Sequence, residues 1–429
     1  MIAVIYVVLL LLLAVVSYIA TRNFCNPGTL FCGFWSLLIG LSSLRLYGLE
    51  YFSNTILNLI FIGNICFFFG SLRRIPKIVI SRSFKNRQIG KAIALNNTLF
   101  TVLLIFCVAA LLYRFSFQIP YLLMGNSISD VRYQGQVKYS QLSLILFNFF
   151  ALPFLDASIT VLISSNVLNN KPLKSYSAPV FLLVMSMISN GARLAIYQVC
   201  IIFLFALLIN HRISFKAESL KKFVPMFIVF VALILFVNTD RSQDGDLFKG
   251  IYTYFCGSFV FGDYVLTEAP YFDEFLYGVN SFGGIVRVLF TFLGIFGIAS
   301  PNLLTQAGIF MSQSMQNTRI IVNDSGTLYN YFCTCFLYFY KDGGYIAVVI
   351  ISFIYGLICR YSFDRFTDNN NICTLSVYLY IISGIAISMM HFCFSSFIYV
   401  MAIVYILILT TMSKTRLTFK TSHGHNHRK

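Results

Sequence analysis

The chain opens with MIAVIYVVLLLLLAVVSYIA (Met1–Ala20), a stretch without a single charge. A hydrocarbon core about 30 Å thick takes about 20 apolar residues in a helix. These residues therefore predict a transmembrane helix. They lack the basic start and small-residue cleavage site of a signal peptide, so the helix is read as retained. Similar runs recur outward from it, at about 29–46, 54–71, 95–115, 142–165, 175–190, 194–210 and 223–238, then at 344–360, 373–391 and 396–412. Two shorter runs, 284–300 and 326–341, are ambiguous. The whole chain agrees with its first twenty residues. Of 429 residues 58% are hydrophobic and only 11% charged, against about a quarter charged in soluble domains. That excludes an ordinary cytosolic enzyme, a disordered protein and a disulfide-built secreted module. The expected fold is an all-α polytopic integral membrane protein with about 11–13 transmembrane helices. Residues 1–412 form one membrane domain and 413–429 a basic tail.

Charge sets the expected orientation. Lys and Arg total 31 against 15 Asp and Glu, a formal +16. No soluble module is present to carry nucleic acid on that excess. Residues 73–91 hold seven basic residues and no acid, loop 211–222 holds Arg212, Lys216, Lys221 and Lys222, and the tail is basic again. Basic loops face the cytoplasm, which puts the N-terminus outside and the C-terminus inside. The tail stays inside only if 284–300 and 326–341 both cross or both re-enter. The largest outer loop then runs from about 239 to 283, and seven of the fifteen acids sit in it among tyrosines and phenylalanines. Eleven cysteines lie mostly in apolar spans without a CxxC pair, as small buried hydrophobes do.

The signatures of several chemistries are missing. No GxxxxGK[ST], HExxH or glycine-rich dinucleotide fingerprint occurs, and no cofactor or metal is expected. His423, His425 and His427 alternate in the tail, where a solvated basic segment is the better reading. The remaining candidates are outer arginines and acids. Arg132, Arg193, Arg241 and Arg287 lie in outer loops or at helix ends, where a planar guanidinium fork suits the oxygens of a diphosphate. The competing reading is a guanidinium that snorkels at a helix end. Asp263, Glu268, Asp273 and Glu274 offer general bases, or simply a solvated loop. His391 and Asp156 are ionisable groups in apolar surroundings, which in membranes mark functional candidates. His391 equally suits a packing role.

Some stretches carry a resemblance. Asn238-Thr239-Asp240-Arg241 through Gly250-Ile251-Tyr252-Thr253-Tyr254-Phe255-Cys256-Gly257-Ser258, then Tyr277-Gly278-Val279-Asn280-Ser281-Phe282-Gly283-Gly284-Ile285, resemble the oligosaccharide repeat-unit polymerases, the Wzy-type O-antigen polymerases of bacteria. Gly326-Thr327-Leu328-Tyr329-Asn330-Tyr331, followed by Phe339-Tyr340-Lys341-Asp342-Gly343-Gly344-Tyr345, is similar to that family's aromatic segment ending in an Asp-X-Gly turn. Gly343 stands where an aromatic residue is expected. The resemblance implies a membrane glycosyltransferase of the bacterial inner membrane, serving lipopolysaccharide biosynthesis at the periplasmic face. Its substrate would be an oligosaccharide linked to undecaprenyl diphosphate, moved onto the next lipid-linked unit. Arg132, Arg193, Arg241 and Arg287 would contact diphosphate, with Tyr277 and Tyr329 beside the glycan. Asp263, Glu268, Asp273 or His391 would act as base. A chain-length regulator and a flippase of the same pathway would be its partners. An O-antigen ligase and a non-enzymatic flippase for lipid-linked oligosaccharide are the rival readings.

Overall fold

The computed structural model describes residues 2–72, 97–124, 146–169, 193–209, 247–268, 274–294, 296–310, 318–329 and 332–411, together with Ser177, Phe181 and Leu182. The chain is mostly helical. The first hairpin is α1 (Ile2–Thr21) and α2 (Pro27–Ser43), followed by α3 (Asn54–Leu72) and α4 (Asn97–Leu123). A π-helical turn at Phe147–Ala151 leads into α5 (Leu152–Leu168), and α6 is Arg193–Ile209. Next come α7 (Leu247–Thr267), α8 (Gly283–Gly294) and α9 (Asn302–Ile309). A short antiparallel pair, β1 (Ile320–Ile321) and β2 (Leu328–Tyr329), precedes α10 (Cys335–Asp368), α11 (Ile372–Ile387) and α12 (Phe397–Thr411). Among the described residues, four helical stretches are long and apolar enough to cross a membrane: Ile2–Thr21, Asn54–Leu72, Phe147–Leu168 and Cys335–Asp368. The runs expected at 175–190 and 223–238 lie outside the described residues, apart from Ser177, Phe181 and Leu182.

Local chemistry starts these helices where the sequence turns. Asn26 caps α2: its Oδ1 accepts from Thr29 N at 3.1 Å and from Ser17 Oγ at 2.7 Å. Pro27 follows at the first helical position, where a missing N–H costs nothing. Asn371 and Thr374 form a capping box on α11.

Helix packing is closest between α3 and α10. A Cβ on Gly70 would sit 2.2 Å from Phe353 O, and one on Gly356 would sit 2.2 Å from Phe67 O. Only hydrogens fit there. The two backbones touch, as small residues permit between helices in lipid. One turn pair further along, Gly63 makes room for the ring of Phe336. That ring packs on Trp35 at 5.0 Å and on Phe31 at 6.1 Å. This aromatic knot ties α2, α3 and α10 into one core.

One end of the bundle is capped. The α2–α3 link pairs with the β1–β2 turn through Glu50 N to Val322 O at 2.9 Å and Asp324 N to Gly48 O at 3.0 Å. Helix α7 meets the same link twice. The Tyr252 hydroxyl accepts from Leu46 N at 3.0 Å. Eleven residues on, Asp263 accepts from Ser53 N at 2.7 Å. A helix with both these contacts on one interhelix link lies across the end of the bundle. The sequence reading had this segment as loop. At the opposite end the hydroxyl of Tyr378, on α11, donates to Cys25 O in the α1–α2 turn. Of the two ambiguous runs, 284–300 holds the 12-residue α8. At 1.5 Å per residue it is about 18 Å long, short of a hydrocarbon core. Run 326–341 holds β2 and the first turns of α10.

Candidate functional site

Helix α10 breaks after Asp342. Gly343 is extended and Gly344 has φ +63° with ψ −151°, a region essentially confined to glycine. A break frees carbonyls that a continuous helix would use itself. Here the chain before α8 takes them: Leu276 N donates to Lys341 O at 3.1 Å and Tyr277 N to Asp342 O at 3.0 Å. The Asp342 side chain extends the same seam. Its two oxygens accept from Asn280 N at 2.9 Å and Ser281 N at 2.8 Å. These amides immediately precede α8, so the carboxylate stands at that helix's positive end. Asn280 Nδ2 donates to Tyr338 O at 3.2 Å, and buried Lys341 donates to Glu274 O at 2.6 Å. Two of the stretches that carry the resemblance, 277–285 and 339–345, thus dock on each other.

The break is deep in the bundle. Tyr345, the first residue beyond it, shares a cleft with Phe61 and Ile62 of α3. Phe61 is seven residues into that helix, about 11 Å along it. Irregular backbone at span depth survives only inside protein or beside a cavity, and it marks binding sites in transport proteins. Tyr277 adds a second signal. It is left-handed at φ +48°, followed by Gly278 at +88°. A tyrosine in that region is strained, and strain of this kind clusters at functional sites. Its side chain is 77% exposed.

A third segment closes the arrangement. The link 388–396 between α11 and α12 receives Cys335 N on Ser388 O at 2.7 Å and Cys333 N on Met390 O at 3.1 Å. Gly284 lets this link approach α8: a Cβ there would sit 2.4 Å from Ser396 O. Phe392 packs edge-on against Phe339 at 4.7 Å and Phe282 at 5.8 Å. His391 lies beside it, in the link, beyond the end of α11 at Ile387. The residue as a whole is half-buried, yet its Nδ1 is shut off from solvent without a hydrogen-bond partner among the described residues. Burial pushes the imidazole down from 6.5 to about 4, which leaves it neutral near pH 7 and less basic than a solvated imidazole.

Arg287 stands on α8 one turn past Gly284. It is exposed and has no ion pair among the described residues. Gly308 of α9 leaves space beside it, since a Cβ there would sit 3.5 Å from Arg287 Nη2. Gln306 of the same helix reaches Glu274 Oε2 at 3.5 Å, and Lys341 Nζ lies 5.3 Å from the centre of the Phe310 ring. Two cations (Arg287 and Lys341), two acids (Asp342 and Glu274) and one neutral imidazole therefore attach to segments that meet at the break. Such a set can bind an anion. Among the described residues no three His, Cys, Asp and Glu side chains gather as a metal site.

The other expected residues are distributed differently. Asp263 accepts from Ser53 N and Oγ and so fastens α7 to the start of α3. Glu268 is exposed just past α7. Tyr329 is buried and donates to Tyr254 O at 3.0 Å, so its ring packs inside the cap. Arg193 is the first residue of α6. Arg132, Arg241 and Asp273 lie outside the described residues. Asp156, on α5, meets the Tyr380 hydroxyl of α11 within the bundle. Sequence reasoning passed over Lys341, Asn280 and Ser281 as participants. Their signal was the pairing of glycines around each stretch, Gly278 with Gly283-Gly284 and Gly343-Gly344, which allows tight docking. Comparison with protein-family models, with curated proteins and with solved structures finds no match to this chain.

Proposed function

We propose that the chain is a repeat-unit polymerase of the bacterial inner membrane. It transfers a glycan from undecaprenyl diphosphate to the next lipid-linked unit on the periplasmic side. The observation that carries the reading is the docking of Tyr277–Gly284 on the broken helix at Asp342–Gly344, with exposed Arg287 one turn away. In this reading the capped end faces the periplasm, and runs 284–300 and 326–341 both re-enter, giving eleven spans. The short α8 and the broken α10 support that choice.

The chemistry follows from charge. Breaking the bond between sugar and diphosphate builds negative charge on the leaving oxygen. A guanidinium already in position stabilises that charge without reorganising. Arg287 takes this role, aided by Arg193 and by Arg241. The acceptor hydroxyl must lose a proton as it attacks the anomeric carbon, and neutral His391 accepts it. The departing diphosphate keeps the electron pair of the broken bond, so atoms and charge balance.

The test is a host lacking this chain, complemented with Arg287→Ala or Arg193→Ala at equal membrane abundance. We expect polymerisation slowed about 100-fold or more, the cost of losing one such donor. Long polysaccharide then disappears while single-unit products remain. A normal chain-length ladder from both variants would overturn the arginine assignment. Loss of single-unit capping as well would point to a ligase, and lipid-linked units trapped on the cytoplasmic side would point to a flippase.

A further inference from the structure

The cleft beside Tyr345, of about 410 Å³, opens between α1, α3 and the second limb of α10. Tyr6, Asn58, Phe61, Ile62 and Tyr345 line it. The Tyr6 ring lies flat on Phe61, centroids 4.0 Å apart. Its hydroxyl donates to Asn58 Oδ1 at 2.6 Å. That bond fixes the amide and leaves its Nδ2 hydrogens to be used elsewhere. Tyr345 is 41% exposed, and its ring stands edge-on to Tyr340. Among the described residues neither Asn58 Nδ2 nor the Tyr345 hydroxyl has a hydrogen-bond partner.

The setting makes those two free groups informative. The surrounding surface is apolar and exposed: Val4, Ile5 and Val8 on α1, Ile346 and Ile350 on α10. In a chain that spans a membrane this face meets hydrocarbon. An amide or phenol left unpaired in hydrocarbon costs several kcal/mol. Tyrosines that anchor at the water boundary keep their hydroxyls wet. Here Asn58 and Phe61 lie four and seven residues below the start of α3, about 6 and 11 Å along the helix. The groups therefore need a polar partner that arrives from the bilayer.

We propose that this cleft binds a saccharide unit of a lipid-linked glycan, approaching sideways from the membrane. A sugar ring has an apolar C–H face and a rim of hydroxyls. Tyrosine and phenylalanine rings match the face, and the amide and phenol match the rim. The cleft carries no cation, so a bare phosphate headgroup has nothing to pair with here. Its volume falls within the range of small-ligand sites, about 300–1,000 Å³. It adjoins the helix break at Tyr345, on the flank of α10 that faces lipid. The inference rests on the polymerase reading and adds to it a place where the carrier's sugar is first held.

The experiment uses the full chain in lipid nanodiscs and two probes: a polyisoprenyl diphosphate bearing one saccharide repeat, and the same carrier without sugar. Asn58→Leu and Tyr345→Ala should each weaken the sugar-bearing probe by about tenfold or more. Both should leave the sugar-free probe unchanged. Tyr345→Phe, which removes only the hydroxyl, should weaken it by a smaller factor and guards against misfolding. A photoreactive group on the sugar should label the wild-type peptides containing Asn58 or Tyr345. Unchanged affinity in the variants, or equal loss for both probes, would overturn the saccharide site and leave the polymerase reading intact. Failure of the wild-type chain to bind the sugar-bearing probe at all would overturn both.

Discussion

At the scale of the residue, Asp342 and His391 are two ionisable groups in opposite circumstances. Asp342 gives both oxygens to backbone amides, which makes it the peg on which the 277–284 loop hangs. His391 keeps a buried nitrogen without a hydrogen-bond partner among the described residues. Its pKa is lowered by burial from 6.5 to about 4, and that has a definite consequence for stability. Between those values the unfolded chain binds a proton that the native imidazole refuses. Stability is therefore level above about pH 6.5 and falls as pH drops toward 4. His391→Gln should flatten that acid limb, measured by thermal unfolding in detergent from pH 4.5 to 7.5. An identical acid limb in the variant would show that the loss comes from other groups. His391 was legible as a candidate because an imidazole among Met389, Met390 and Phe392 is conspicuous. Asp342 was visible too, but its partners lie some sixty residues away and no local pattern announces them.

At the scale of the element, α10 carries both the break and the closest packing. Spans in the sequence were legible wherever hydropathy alone decides. The run read as 344–360 begins where the second limb of α10 begins. The read failed for α7, because Lys249, Asp263 and several tyrosines made 247–267 look like loop. That helix is half-buried under the cap, so its polar face is expected rather than contrary. Packing partners were not legible at all, since a glycine in a span shows where a neighbour fits but not which neighbour. Gly356 now has one. Gly356→Leu would drive a side chain into the Phe67 carbonyl. The cost should lie at or above the upper end of the range of about 1–3 kcal/mol for overpacking. The expected readout is a markedly lower melting temperature, whereas Gly250→Leu, on open space in α7, should melt like wild type. Equal melting of Gly356→Leu and wild type would refute the contact.

At the scale of the whole molecule, the two ends of the bundle belong to different compartments in the proposed reading. Ser325 lies in the capped end and Asn370 in the α10–α11 turn, both exposed. The second limb of α10 runs between them. A Cys at Ser325 should react with a membrane-impermeant maleimide in intact cells whose outer membrane is permeable. A Cys at Asn370 should react only after the inner membrane is opened. The native cysteines are mostly buried, so the new labels should stand above background. Reaction of both positions from one side would refute the topology.

The contact between α3 and α10 also sets an order of events during synthesis. Gly63 and Gly70 leave the ribosome early, while Phe336 and Gly356 follow roughly 270–290 residues later. At about 5–20 residues per second this delay is on the order of tens of seconds. Throughout it the glycine face of α3 has no native neighbour in the bilayer, and other nascent helices can occupy it. The N-terminal helices must therefore wait, inserted but unsealed, until the last third of the chain arrives to close them.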